Sequence, residues 1–270
     1  MKMLTFDIEE YYHLLDLGPE VNVDFTYALV EPMTRRILTA LANRGVKALF
    51  FVVGEVAEKY PQLIADICSE GHVIGSHSMS HRLHSELSDE EFVMDLRESI
   101  AAITNASGQK VKTYRAPGFS LTSEFMHRLE LLHVEGIEFD FSLFMGQASH
   151  GGVTANWSPK IYGSSVVPCT YKNVVIYPFV SSRILGLKAP LLGGGYFRLA
   201  PYYAINSALK RQRYAMMYFH PRDFDPSQPM IGGLSFFRKF KSYVGLRSSW
   251  KKFQRLLDEN EWTDPNTVIS

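Results

Sequence analysis

The sequence is poor in the features that define several common classes of protein. It has two cysteines, Cys68 and Cys169, far apart in the chain, which excludes a disulfide framework and favours a reducing compartment. Its 28 basic residues balance its 28 acidic residues, so no overall charge favours a nucleic acid as a partner. No apolar run approaches the ~18–20 residues that a membrane-crossing helix needs. These absences leave a globular protein without a nucleic-acid partner.

The start of the chain carries no pattern typical of a signal peptide. It opens on an apolar run, Met3-Leu4-Thr5-Phe6, which leads directly into Asp7, Glu9 and Glu10. We therefore expect a cytoplasmic protein. With 46% hydrophobic residues over 270 positions, the chain is long enough to bury an ample core.

Apolar runs typical of buried strands alternate with amphipathic stretches typical of helices. The predicted strands are Met3 to Asp7, Val46 to Val53, Val73 to Ser76, Lys112 to Arg115, Ile137 to Phe141 and Tyr214 to Phe219. Helices are predicted at Pro32 to Asn43 and Val56 to Ser69, and Ser88 with Glu91 forms a capping box that opens another. This alternation predicts parallel βαβ units.

Residues able to carry chemistry follow the ends of these strands, an arrangement typical of a (β/α) barrel. They are Asp7 and Glu9 after the first, His77 after the third, Arg115 after the fourth, Asp140 in the fifth and His220 after the last. The alternation stops between Phe144 and Arg198, where the composition indicates loops and hairpins. No internal repeat divides the chain, so we expect one domain.

Two histidines four residues apart, His77 and His81, predict a metal site. Such a pair directs two imidazoles at one point, and a divalent metal needs a third protein ligand. The carboxylates at the end of the first strand supply it. In a strand, Asp7 and Glu9 lie on the same face, so both side chains reach the same place.

Five motifs in order resemble the polysaccharide deacetylase family (NodB-homology domain, carbohydrate esterase family 4). They are Thr5-Phe6-Asp7-Ile8-Glu9, His77-Ser78-Met79-Ser80-His81, Arg115-Ala116-Pro117-Gly118-Phe119, Asp140-Phe141-Ser142 and Tyr218-Phe219-His220. Two later stretches, from Gly193 to Arg198 and from His220 to Pro229, resemble the branch associated with bacterial exopolysaccharide or O-antigen biosynthesis. The resemblance implies a distorted (β/α)7-type barrel, a single domain over 1–270, with an elaborated loop and hairpin segment around 144–198.

The resemblance also implies one divalent metal ion, which would be zinc or a similar ion such as cobalt or nickel. Its ligands would be Glu9, His77 and His81, with Glu10 as the rival carboxylate. The metal would activate water for attack on an amide carbonyl.

Catalytic roles follow from the same resemblance. Asp7 would be the general base and His220 the general acid. Arg115 would orient Asp7, and Asp140 would hold His220 or Arg115 in place. A backbone N–H near Gly118 would help stabilise the tetrahedral oxyanion.

The implied reaction removes an N-acetyl group from an amino sugar of a cell-surface polysaccharide, presented as a glycan, a nucleotide sugar or a lipid-linked sugar. Phe119 and Tyr196 are the candidates for stacking on a sugar ring. Two alternatives stay open. One is a deformylase or another amide hydrolase acting on a lipid-linked sugar or a small amide. The other is a catalytically silent, metal-containing glycan-binding subunit.

A basic and aromatic stretch, about 236–260, follows these motifs as a predicted helical extension. From Arg238 to Arg255 it has seven basic residues and no acidic one, with aromatic residues interleaved. Such a stretch suits an anionic membrane surface. It predicts weak peripheral contact with the inner face of the inner membrane, whereas the competing interpretation is a helix that packs its aromatics on the barrel.

Overall fold

Strands and helices alternate along the chain, as the sequence predicts. A computed structural model describes residues 1–13, 23–145, 168–184 and 187–269. The strands are β1 (Lys2–Ile8), β2 (Leu49–Val52), β3 (Val73–Ser76), β4 (Thr113–Tyr114), β5 (Phe139–Asp140), β6 (Phe144–Met145), β7 (Cys169–Tyr171), β8 (Val174–Ile176), β9 (Phe179–Val180), β10 (Ser182–Ile184), β11 (Leu187–Ala189) and β12 (Ala215–Phe219). The helices are α1 (Val30–Ala42), α2 (Gly54–Lys59), α3 (Pro61–Ser69), α4 (Asp89–Ser107), α5 (Arg128–Val134), α6 (Gly194–Leu199), α7 (Tyr202–Arg211), α8 (Phe236–Tyr243) and α9 (Leu246–Glu259). Short 3₁₀ turns lie at His84–Glu86, Pro117–Phe119, Pro221–Phe224 and Pro265–Thr267.

One curled sheet carries the six predicted strands, which correspond to β1, β2, β3, β4, β5 and β12. Within the described residues, seven strands run parallel in the order β12-β1-β2-β3-β4-β5-β8, and β7 pairs antiparallel with β8 at one edge. Both faces of β2 are buried, as is all of β1 after Lys2, which explains why β2 is wholly and β1 mostly apolar. The predicted distorted (β/α)7 barrel is confirmed.

The predicted helix from Val56 to Ser69 is wrong in one respect, because the structure divides it into α2 and α3. Pro61 opens α3 and has no N–H to donate to the preceding turn. Proline also disfavours helical backbone at the residue before it, and Tyr60 has φ −129° and ψ 56°.

The segment around 144–198 contains the hairpins β7-β8 and β10-β11, as predicted for loops and hairpins. The end of this segment differs from the prediction, because Gly194–Leu199 forms a helix, α6. Residues 146–167 lie outside the described part of the chain.

The C-terminal stretch is two helices rather than one extension, because Gly245 turns the chain between α8 and α9 with φ 72°. α9 belongs to the barrel: its Phe253 is fully buried and packs edge-on against Phe6 of β1. None of the helices in the described residues is both long and apolar enough to cross a membrane.

Close packing between β3 and its neighbours requires a glycine at position 75. A Cβ there would overlap Thr113 Oγ1 and lie 2.8 Å from the ring of Phe51 and 2.9 Å from the Thr113 carbonyl oxygen. These contacts are too short for any side chain, so only glycine lets β2, β3 and β4 keep their spacing.

We expect Gly75→Ala to lower the free energy of unfolding by about 1–3 kcal/mol, the usual cost of overpacking a core. Urea denaturation of the full chain measures this. In the double variant Gly75→Ala/Thr113→Ala the closest contact is removed, and part of the loss should be recovered. A Gly75→Ala protein as stable as the unmodified chain would contradict the packing argument.

Candidate metal centre and catalytic site

The carboxyl ends of the parallel strands bring the predicted metal-binding and catalytic side chains to one place. Asp7 and His220 follow a pair of residues in register on the neighbouring strands β1 and β12. His77 and Arg115 follow such a pair on β3 and β4. Strand register therefore aligns residues that are more than two hundred positions apart in sequence.

Glu9, His77 and His81 form a buried group that fits a metal ion. One ligand atom from each lies within 4.8 Å of the other two. His81 Nε2 is 2.6 Å and His77 Nε2 is 3.8 Å from Glu9 Oε2. One carboxylate and two imidazoles are three protein ligands, which leaves the fourth position of a tetrahedral ion for water, and this donor set suits catalytic zinc.

The orientation of His77 supports this assignment. Its Nδ1 lies 2.7 Å from the carbonyl oxygen of Arg115, and because a carbonyl only accepts, Nδ1 carries the proton. Burial lowers the pKa of His77 to about 4, so the ring is neutral at physiological pH and Nε2 offers a lone pair to a metal.

The negative charge of Glu9 also fits a role as a metal ligand. Burial raises the pKa of its carboxyl, but the imidazoles of His81, His220 and His77 outweigh burial, and the pKa lies well below its ordinary value. Glu9 is therefore ionised and ready to bind a cation.

A strained loop, and not a helix, carries the two histidines. Ser78 and His81 have positive φ values of 68° and 59°, an unfavourable conformation for residues with a Cβ. Asp95 of α4 accepts a hydrogen bond from Met79 N at 2.9 Å, and Gly54 N donates to Ser78 O. These contacts hold the loop in the shape that turns both imidazoles toward Glu9.

Glu10, the rival metal ligand, has a different role. Its Oε2 accepts hydrogen bonds from the backbone N–H groups of Leu29 and Val30, at the start of α1. Its Oε1 accepts from the hydroxyl of Tyr60 at 3.3 Å. A carboxylate placed at a helix N-terminus is a cap, so Glu9 is the ligand candidate.

Arg115 pairs with Asp7, as the family resemblance implies. Its Nη1 donates to Asp7 Oδ1 at 2.6 Å and to Thr5 Oγ1 at 2.9 Å. Its Nε donates to the carbonyl of Phe141, and the ring of Phe51 lies 4.2 Å from the guanidinium carbon. The guanidinium is fully buried and leaves Asp7 Oδ2 directed toward the site.

His220 lies across the site from Arg115. Its Nε2 is 3.8 Å from Asp7 Oδ2 and 3.9 Å from Glu9 Oε1, and its Nδ1 is 3.1 Å from Asp223 Oδ2. Burial lowers the pKa of His220, but Glu9, Asp223 and Asp7 outweigh burial and raise it to about 9. A divalent cation at Glu9 would oppose this rise. Arg198 in turn lies 3.1 Å from Asp223 and keeps that carboxylate ionised and in place.

Asp140 was predicted to hold His220 or Arg115 in place, and within the described residues it forms no hydrogen bond with either side chain. Its carboxylate accepts hydrogen bonds from the N–H and the hydroxyl of Ser142, at 3.0 and 2.6 Å. Ser142 Oγ accepts from Ala116 N at 2.8 Å, so Asp140 supports the backbone next to Arg115 and not its side chain. Burial raises the pKa of Asp140 to about 6.

The two predicted sugar-stacking residues differ in exposure. Phe119 is only 7% exposed and packs against the rings of Phe144, Phe179 and Tyr218, which leaves little of its face for a sugar. Tyr196 is 44% exposed, and its role stays a prediction.

Gly118 lies in the 3₁₀ turn that follows Arg115 and has φ 60°. This left-handed residue and Phe119 after it, with φ 53°, reverse the chain beside the site. The role of the Gly118 N–H in stabilising an oxyanion stays a prediction.

Three positioning residues were not predicted from the sequence, namely Asp95, Ser142 and Asp223. Asp223 follows His220 by three positions, a spacing that lets a side chain reach back in a tight turn, and this signal was present in the sequence. Asp95 and Ser142 act through backbone groups of other segments, so no local pattern identifies them.

Comparison with known proteins identifies the family that the first half of the chain matches. The family model described as polysaccharide deacetylase matches residues 3–137, half of the chain. A second model, described as a domain of unknown function (DUF3473), matches residues 156–270. The two matched regions share one sheet, because β12 of the second pairs with β1 of the first.

Individual proteins show the same likeness. A peptidoglycan-N-acetylglucosamine deacetylase from Bacillus cereus is 36% identical over 114 residues, which are 41% of this chain and 41% of that protein. The chain therefore matches less than half the length of that relative.

Solved structures show the fold. A Mycobacterium smegmatis protein assigned to the polysaccharide deacetylases has a TM-score of 0.59 at 16% identity, over 99% of this chain and 88% of that one. A carbohydrate esterase family 4 pseudoenzyme from Bacillus anthracis has a TM-score of 0.50 at 14% identity, over 100% of this chain and 65% of that one.

We expect Glu9→Gln and Glu10→Gln to separate metal binding from helix capping. Glu9→Gln removes a charged ligand, so zinc affinity in calorimetric titration should fall by at least ~10–100-fold. Glu10→Gln should leave zinc affinity unchanged and lower the melting temperature, because α1 loses a charged cap. The opposite pattern would make Glu10 the ligand.

Proposed function

This chain belongs to the polysaccharide deacetylase family, and on that premise we propose that it is a metal-dependent hydrolase that removes an N-acetyl group from an amino sugar. One observation carries the proposal. The metal-binding group of Glu9, His77 and His81 lies between a base candidate fixed by Arg115 and an acid candidate fixed by Asp223. A protein that only binds a glycan has no need for all three parts.

A divalent cation held by Glu9, His77 and His81 would polarise the amide carbonyl and make a water molecule more acidic. Asp7 accepts the proton of the attacking water, and Arg115 keeps Asp7 in position for it. His220 donates a proton to the departing amine as the C–N bond breaks. The products are acetate and a sugar with a free amine.

The geometry supports the division of these roles between Asp7 and His220. Asp223 binds Nδ1 of His220, so the proton on Nε2 is directed into the site, toward Asp7 and Glu9. Arg115 occupies only one oxygen of Asp7, which leaves the other to take a proton.

The first substrate class to test is polymers and oligomers of N-acetylglucosamine, because the Bacillus cereus relative is named for that sugar in peptidoglycan. We further propose a role in assembling a surface polysaccharide such as O-antigen or exopolysaccharide. The sugar would be polymeric, nucleotide-linked or lipid-linked. The family likeness supports the sugar amide, and the sequence motifs alone support the pathway.

We expect purified protein reconstituted with zinc or cobalt to release acetate from an N-acetylated amino sugar, and the apo protein to release none. Asp7→Asn should lower kcat by at least ~100-fold while zinc still binds, because the base is lost and the ligands stay. His77→Ala should lose both zinc and activity. Acetate release and bound zinc are measured on the same samples.

The Bacillus anthracis relative is a pseudoenzyme, so family membership alone does not establish catalysis. The protein should be tested on a set of acetylated and formylated amino sugars. Tight zinc binding without hydrolysis of any of them would contradict the proposal and favour a glycan-binding subunit. Release of formate alone would favour the deformylase.

Asp223→Asn tests the positioning of the acid. We expect kcat to fall by about 10–100-fold with little change in KM, because the amide no longer holds His220 as a charged partner does. Asp225→Asn is the matched control: this carboxylate lies in the same turn and is buried, but it accepts from Tyr27 and Ser227 instead of His220. Equal losses of kcat in the two variants would show that only the fold of the turn matters.

A further inference from the structure

Helix α8 presents an aromatic face to solvent. Phe236, Phe237 and Phe240 are 87%, 77% and 49% exposed, and α8 has no buried residue. Met230, in the preceding loop, is also exposed. A group of large apolar side chains of this kind on one helix is typical of an interaction surface.

Polar contacts hold α8 in place without these aromatics. Arg198 of α6 donates to the carbonyl oxygens of Lys241 and Ser242 at the end of α8. The hydroxyl of Tyr243 donates to the carbonyl of Pro229 and accepts from the N–H of Ile231, the two neighbours of Met230. These contacts hold the C-terminal end of α8 on the protein. The exposed aromatic face takes no part in them and is accessible to a partner.

The charge around this face is positive. With about 3.6 residues per turn, Lys239 and Lys241 flank the aromatic face of α8 on its two sides. No acidic residue occurs between Asp225 and Asp258. Arg247 of α9 is exposed as well.

We propose that α8 is an interfacial helix that binds an anionic phospholipid surface through Phe236, Phe237 and Phe240. Aromatic side chains enter the headgroup boundary while the flanking lysines bind lipid phosphates. A second copy of the chain fits this face less well, because a symmetric pair would bring like charges together. The neighbouring α9 differs, since it buries Phe253 against the sheet.

The position of α8 links this surface to the candidate site. Arg198, which holds the end of α8, also lies 3.1 Å from Asp223, the partner of His220. If the proposed function holds, Arg198 would connect the lipid-bound helix to the residue that positions His220. The lipid-binding surface itself stands independently of that function.

Sedimentation of the full chain with phosphatidylcholine vesicles, with and without phosphatidylglycerol, tests the proposal. We expect binding to the anionic vesicles that weakens at high salt. Phe236→Ser/Phe237→Ser/Phe240→Ser should weaken it by at least about ten-fold, because three apolar side chains are lost. Lys239→Gln/Lys241→Gln should weaken it by roughly five-fold per lysine.

The matched control is Met94→Ser/Val134→Ser, which removes exposed apolar side chains from α4 and α5 and should bind vesicles as the unmodified chain does. Circular dichroism checks that each variant folds. Vesicle binding that is absent, or equal in the aromatic variant and the unmodified chain, would overturn the proposal. Light scattering that shows a dimer disrupted by the aromatic substitutions, without vesicle binding, would assign the face to a second copy.

Discussion

The buried ion pair between Arg115 and Asp7 is the interaction on which the site depends. Both groups are almost without contact to water, and their 2.6 Å hydrogen bond compensates for the loss of hydration. Removing one partner of such a pair typically costs about 3–5 kcal/mol, because an uncompensated charge stays buried. The pair also joins β1 to the loop after β4, across the two strands between them in the sheet.

Arg115 has a second role through its backbone. Its carbonyl oxygen accepts the Nδ1 proton of His77, so the same residue that orients Asp7 also determines which nitrogen of His77 faces Glu9. Asp140 and Ser142 support the chain immediately after it. The metal group and the base are therefore coupled through one residue, and a shift of the loop after β4 would disturb both.

Much of this arrangement follows from local sequence. The apolar runs predicted the strands, and their polar ends identified Asp7, Glu9, His77, Arg115 and His220 as residues of one site. The break at Pro61 was also readable from sequence, since proline at that position disfavours a continuous helix. Contacts between segments far apart in the chain could not be predicted from the sequence. Glu10 stands beside Glu9 with the same chemistry, and only the position of α1 makes it a cap.

The sequence by itself determined the parallel sheet and placed polar residues such as Asp7, His77 and His220 at the ends of its strands, because these features depend on residue type and on spacing within single segments. The roles of ligand, base and acid come from the family resemblance. Tertiary structure alone decided that Glu10 caps α1, that Phe119 is core, and that the aromatics of α8 are exposed while Phe253 of α9 is buried. Each of these outcomes depends on which segments pack against a side chain. Packing is a property of the whole fold and has no local signal in the chain.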